Sequence, residues 1–239
     1  MKWVFTPDEF TYVWSVETGL DRRPYPINMA HRGTVRSEND WDKLKLAERF
    51  HRNADPDLTG ALTLCARGDV TTITVSGDRY VQDGRADEPI LAFGATHLVW
   101  GTVIVAGPCD VTVIACHARK VAHHLVAAMG SAPPGRLAPM REPREAVLHE
   151  DPHLWQQQSE AALRAATLRE TLHRPIDARG FITVTVAPED PMSPPTRHRT
   201  WLDFTDDGRY LLTTTTDLTL APVTEPALAT HLTRLAAIR

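Results

Sequence analysis

One pattern constrains this chain more than any other: the same order of elements is written twice. From Val70 the apolar residues change from a helical period to a period of two. Thr72 and Thr74 fall on one face, with Ile73 and Val75 on the other. Strand-like runs follow at 90–93, 97–105 and 110–116, and an amphipathic helix closes the segment over 118–129. The grammar returns near the end. Ile182, Val184 and Val186 alternate with Thr183 and Thr185. Strands over 199–204, 209–215 and 218–223 come next, with Asp206-Asp207-Gly208 as a hairpin turn. A helix carrying Leu228, Leu232 and Leu235, capped by Thr224, ends the chain. Two such units read as an internal repeat. The expected fold is α+β, with two pseudo-symmetric halves, about 1–129 and 130–239. They form one domain around a mixed, mainly antiparallel sheet with flanking helical bundles. Strands of this kind bury one side. The Thr-rich side, densest at Thr213 to Thr216, is expected to face solvent or a partner.

The remainder fits around that frame. Thr6 to Glu9 spells a capping box with Pro7 in the first helical position, and Gly19 supplies the stop. A second helix is expected over 38–54, with Ala47, Phe50 and Ala54 on one face. A third starts at Pro56, capped by Asp55, with Leu58, Ala61, Leu62 and Cys65 at helical spacing. Gly77-Asp78 and Asp83-Gly84 read as turns. Residues 133–152 hold five prolines and residues 188–195 hold four, which bars a regular helix or a central strand from either stretch. Between them, 159–172 reads as an amphipathic helix.

Composition excludes several roles. With 239 residues, a net charge of −4 and 42% hydrophobic residues, the chain is neither disordered nor a non-specific polyanion binder. The longest apolar runs fall far short of the roughly 18–20 residues a bilayer span needs. The opening residues lack the apolar core of a secretory signal, and three cysteines form no disulfide framework, so a reducing cytoplasm is expected. Motifs for chemistry are missing. The chain has no phosphate loop, no GxGxxG, no GxSxG and no HExxH or paired CxxC. Cys109, Cys116, His117, His123 and His124 are the best metal candidates, yet they divide between a strand end and a helix, and read as structural. No catalytic residue, cofactor or metal is expected.

Particular residues resemble a known family. Phe5-Thr6-Pro7-Asp8-Glu9-Phe10, Trp14, Thr18-Gly19-Leu20 and Pro24-Tyr25-Pro26 are similar to the start of EspG proteins, secretion-associated chaperones of type VII (ESX) systems. Gly180-Phe181-Ile182-Thr183-Val184, Trp201-Leu202-Asp203-Phe204, Asp207-Gly208-Arg209-Tyr210-Leu211 and Ala221-Pro222-Val223 are similar to the family's C-terminal signature. The two stretches anchor both ends. The segment 130–158 and the loop at 82–88 carry no residue-level match. The resemblance implies a non-enzymatic cytoplasmic chaperone that shields the apolar helical tip of a PE–PPE-like heterodimer and delivers it for secretion. It also implies that variable loops and the helical part select the partner. Candidate contacts on this reading are Thr213, Thr215, Leu163, Leu228 and Leu232. Two other readings stand beside it. One is a scaffold or regulatory subunit without a secretion role. The other is a metal-independent hydrolase, which requires a pocket of converging polar groups around His117, His123 or Asp203.

Overall fold

A computed structural model describes residues 1–30, 33, 35, 37–80, 87–148 and 159–238. Strand β1 (Lys2–Phe5) leads into helix α1 (Pro7–Thr18). The capping box forms as read. Thr6 Oγ1 accepts the Glu9 N–H at 3.3 Å, and the Glu9 carboxylate accepts the Thr6 N–H at 2.9 Å. Gly19 ends the helix at φ 71° and donates its N–H to Ser15 O. The helix expected over 38–54 is two short ones, α2 (Glu38–Lys43) and α3 (Leu46–Arg49). Lys45 sits between them at φ 50°, which no helix interior tolerates. The buried residue there is Leu46, while Ala47 and Ala54 are exposed. Helix α4 (Pro56–Ala66) starts as expected, with the Asp55 carboxylate accepting the Asp57 and Leu58 N–H groups.

Four strands and a helix then complete the first half: β2 (Thr71–Arg79), β3 (Glu88–His97), β4 (Trp100–Ala106), β5 (Val111–His117) and α5 (Ala118–Ala128). The second half contains β6 (Met140–Pro143), α6 (Arg144–Leu148), α7 (Glu160–Leu172), β7 (Ile176–Thr185), β8 (Arg197–Phe204), β9 (Gly208–Thr214), β10 (Asp217–Pro222) and α8 (Glu225–Leu235). All ten described strands join one sheet in the order β1-β5-β4-β3-β2-β7-β8-β9-β10-β6. That order is a palindrome of topology. In each half the first strand pairs antiparallel with the fifth, and the two halves meet where β2 pairs antiparallel with β7.

Three local expectations change. The stretch 133–152, read as unable to form a helix, holds the short helix α6, which fits between Pro143 and Pro152 because it starts directly after the first of them. Gly77-Asp78 is no turn, because it lies inside β2. Gly77 pairs with Gly180 across the seam. A Cβ on Gly180 would sit 2.2 Å from Trp201 Cη2, and one on Gly77 would sit 2.8 Å from the same atom. The two glycines make room for an indole that is wholly buried. The run 97–105 is broken by a hairpin, with Leu98 at φ 54°, so β3 ends at His97 and β4 begins at Trp100. Asp83 and Gly84 lie outside the described residues.

The sheet is also covered more fully than the alternation implied. On one face α5 and α8 pack together over Ile73, Val75, Val103, Ile182, Val184 and Trp201. On the other face α1 and α4 cover Leu91, Phe93, Ile104 and Val113 of the first half. At the far end α6 and α7 cover Leu202, Phe204, Tyr210 and Leu220. β3, β4, β8 and β9 therefore have helices over both faces, and among the described residues the strip along β2 and β7 keeps an open Thr-bearing face.

The halves differ where their helices meet the sheet. Counted back from the hairpin ends, the pairs Gly94–Val103 and Thr96–Gly101 correspond to Trp201–Leu211 and Asp203–Arg209. Gly94 and Gly101 let α5 settle onto the sheet, where Val121 would meet an added Cβ at 2.7 and 2.5 Å. In the second half a tryptophan and an arginine fill the matching volume.

Candidate functional site

The open strip lies between the two helical layers. Along it the side chains alternate as the pleat requires, with Thr72, Thr74 and Ser76 on β2 opposite Thr185, Thr183 and Phe181 on β7. Phe181 is out of character: it is 63% exposed in a row of hydroxyls. It lines a groove of about 550 Å³ together with Tyr25, Met29, Pro89, Leu91 and Leu202. Tyr25 and Met29 are also exposed, at 52% and 63%. They come from the irregular segment after α1, and the Tyr25 hydroxyl pairs with Ser76 Oγ at 3.0 Å, which fixes the ring at the groove wall. Polar groups of the floor are Ser76, Asp78, Arg179 and Thr200. The groove is thus an apolar trough with a hydroxyl-rich floor, suited to receiving side chains rather than to moving protons.

A second hollow, of about 720 Å³, lies at the C-terminal end of α5 and includes Asp203, the carboxylate the hydrolase reading named. Asp203 and Asp207, two of its carboxylates, are each held by an arginine. Arg209 has no exposure to solvent, and its Nε and Nη2 donate to the two Asp203 oxygens at 2.7 Å each. Nη2 also donates to Gly130 O at 3.0 Å, which satisfies a carbonyl at the end of α5. Arg79 Nη2 donates to Met129 O at 3.2 Å. Beside them, Asp207 accepts the Arg136 N–H at 2.8 Å, Arg174 at 2.7 Å and the Tyr210 hydroxyl at 3.0 Å. Burial pushes the Asp207 pKa upward, but these donors outweigh it and hold the carboxyl below its ordinary 3.8. The hollow is walled by a knot of ion pairs that ties α5 to β8 and β9. Asp203 cannot serve as a free acid or base while Arg209 grips both oxygens.

Among the described residues no three of histidine, cysteine, aspartate and glutamate come together as metal ligands. His117 caps α5, its Nδ1 accepting the Arg119 N–H at 3.2 Å. Burial lowers the His124 pKa, as do the neighbouring His123 and Lys120. Cys65 is buried in the core under α1 and α4, and burial pushes its thiol upward.

The candidate contacts named from sequence divide. Leu228 and Leu232 have no exposure, being core residues between α8, α5 and the sheet, and so cannot meet a partner in this fold. Leu163 is 59% exposed on α7, on the same side of the sheet as the groove. Thr213 follows Leu211 in phase and so faces the α8 side, and Thr215 belongs to the β9–β10 hairpin, where it accepts the Asp217 N–H. The densest threonine run is therefore a strand end and its turn, away from the open strip. Tyr25 and Phe181 stand in the sequence within the stretches that resemble the EspG family, but neither is marked there as a partner contact, and Met29 carries no signal at all. Phe181 carried a signal: it is an aromatic residue in phase with Thr183 and Thr185.

A family model described as the EspG family matches residues 6–234. The chain is similar in fold to the Mycobacterium tuberculosis type VII secretion system chaperone EspG5, solved in complex with a PE25-PPE41 dimer. That match has a TM-score of 0.61 and 14% identity, over 99% of this chain and 96% of the other. Among curated proteins no sequence matches.

Proposed function

The chain belongs to the EspG family, and we propose that it is a type VII secretion chaperone whose groove receives the apolar helical tip of a PE–PPE-like heterodimer. EspG5, its structural neighbour, is described as such a chaperone in complex with PE25-PPE41. The observation that carries the assignment to this site is the row Tyr25, Met29 and Phe181 standing exposed at a strip of sheet that, among the described residues, neither helical layer covers. An apolar end on an elongated helical cargo is a self-association hazard, and covering it removes the hazard without any chemistry. Standard interfaces bury roughly 800 Å² on each partner, with a few anchors carrying most of the affinity. Phe181 is the natural anchor, with Tyr25 and Met29 beside it and Leu163 as a further contact on the α7 layer. Thr213 and Thr215 stand outside this footprint. On this reading the protein acts in the cytoplasm, without turnover and without a cofactor. Among the described residues no helix is long and apolar enough to cross a membrane.

Co-expression with a PE–PPE-like pair, followed by size-exclusion chromatography, tests the reading. The complex is expected to co-elute, and Phe181→Glu is expected to weaken it by about tenfold or more, or ~1.4 kcal/mol. Because Phe181 is exposed, its melting temperature should not move. Failure of the pair to co-elute, or unchanged affinity in Phe181→Glu, would overturn the assignment.

A further inference from the structure

The β3–β4 hairpin ends in three successive apolar side chains that stand exposed among the described residues. Leu98 is 81% exposed, Val99 54% and Trp100 69%. The topology does not demand this. The corresponding hairpin of the second half, between β8 and β9, is capped by Thr205, Asp206 and Asp207. Nor is the tip a loose loop. His97 pairs with Trp100 across the turn, and Val99 O accepts the Ala118 N–H at 2.9 Å, so the knob is tied to the first residue of α5.

That junction places charge beside the apolar residues. The first turn of α5 carries Arg119 and Lys120 and no acidic residue. Cations are disfavoured at a helix N-terminus, whose own dipole is positive, so this placement opposes helix stability. His97 and His117 flank the turn, and both are exposed. Acids lie on this side too: Asp69 is gripped by Arg67 through two bonds of 2.8 and 2.5 Å, and Glu189 stands beside that pair. The result is a rigid apolar knob, including a tryptophan, with the Lys120 and Arg119 side chains on the helix turn it is tied to.

From this juxtaposition we propose that the β3–β4 hairpin docks the protein peripherally on an anionic lipid surface, with Leu98, Val99 and Trp100 entering the interface and Lys120 and Arg119 meeting the headgroups. A convex knob of three side chains falls well short of the roughly 800 Å² per partner that a stable protein interface buries. A lipid interface needs no matching shape. Its binding strength grows with apolar area and with attraction to anionic headgroups, and tryptophan favours that depth. The docking knob shares β3 with the cargo groove but lies at its other end: Pro89 and Leu91 line the groove at the start of the strand, and the hairpin begins at His97.

Flotation of the full chain with vesicles tests it. The vesicles are phosphatidylcholine alone, or phosphatidylcholine with about 30% phosphatidylglycerol to supply the anionic surface. The chain is expected to float with the anionic vesicles and to be released by salt. Leu98→Ser/Trp100→Ser is expected to reduce the bound fraction by about tenfold or more. Both side chains are exposed, so the melting curve should be unchanged. If the double variant melts early, Lys120→Glu carries the test and must weaken flotation. Three results would overturn the proposal: no flotation of the natural chain, equal flotation of the variants, or a dimer in light scattering that the double variant abolishes. The last would assign the knob to a second copy of this chain.

Discussion

Replacing Asp203 by alanine should be far more damaging than its position on a sheet surface suggests. Arg209 is wholly inside the protein, and Asp203 supplies both of its strong bonds, at 2.7 Å each. Without that carboxylate the guanidinium would keep Gly130 O at 3.0 Å and a long contact to Met129 O at 3.5 Å, and its Nη1 already has no partner. Breaking a buried pair in this way costs about 3–5 kcal/mol, because a charge is left desolvated and uncompensated. In a chain of this size each kcal/mol moves the melting temperature by about 2–4 °C, so a fall of roughly 6–20 °C is expected. Urea unfolding with a parallel thermal scan measures it. The double variant Asp203→Leu/Arg209→Met removes both charges and should recover most of the loss. A single-variant cost below about 1 kcal/mol, the level of an exposed pair, would refute the reasoning. So would a double variant no better than the single one.

Gly180→Ala should destabilise by about 1–3 kcal/mol in urea unfolding, since its Cβ would lie 2.2 Å from Trp201 and 2.3 Å from the Ser76 backbone oxygen, which cannot move aside. Gly60→Ala, in α4 with nothing near the added atom, should instead stabilise by about 0.5–1 kcal/mol. His231 gives a pH signature. Burial, and then Arg199 and Arg234, hold its pKa below the ordinary 6.5, so the folded state takes up a proton less readily than the unfolded one. Stability from this group is complete above 6.5 and is lost as the pH falls from there through the folded value. Melting temperatures across that range should decline less steeply in His231→Gln, and equal slopes would count against the burial argument.

Local chemistry made much of this fold readable. The Thr6–Glu9 box, Gly19, the Asp55–Pro56 start and Thr224 each act within a few residues of themselves, and each is where the sequence places it. The misreadings arise where the cause lies far along the chain. Gly77 looks like punctuation, yet its purpose is Trp201, on another strand of the other half. Lys45 and Leu98 adopt positive φ with no local signal, because tertiary packing holds them there. The groove was hidden for the same reason. Its walls come from the segment at Tyr25, from β3 and from β7 and β8, and nothing in a linear pattern brings them together. Leu228 and Leu232 show the opposite difficulty: an amphipathic stripe looks the same whether it meets a partner or the protein's own interior.

The seam between β2 and β7 has a consequence for any attempt to divide the molecule. Every other strand pairing joins strands of the same half, whereas this one alone among the described pairings joins the two halves. Severing the polypeptide near Gly130 would strip a full row of ladder hydrogen bonds from each fragment and leave two long raw edges, each an invitation to pair with a neighbour. Neither fragment should survive as a dissolved species, and during synthesis the first-made portion must wait, with that flank unsealed, until the ribosome has delivered its counterpart.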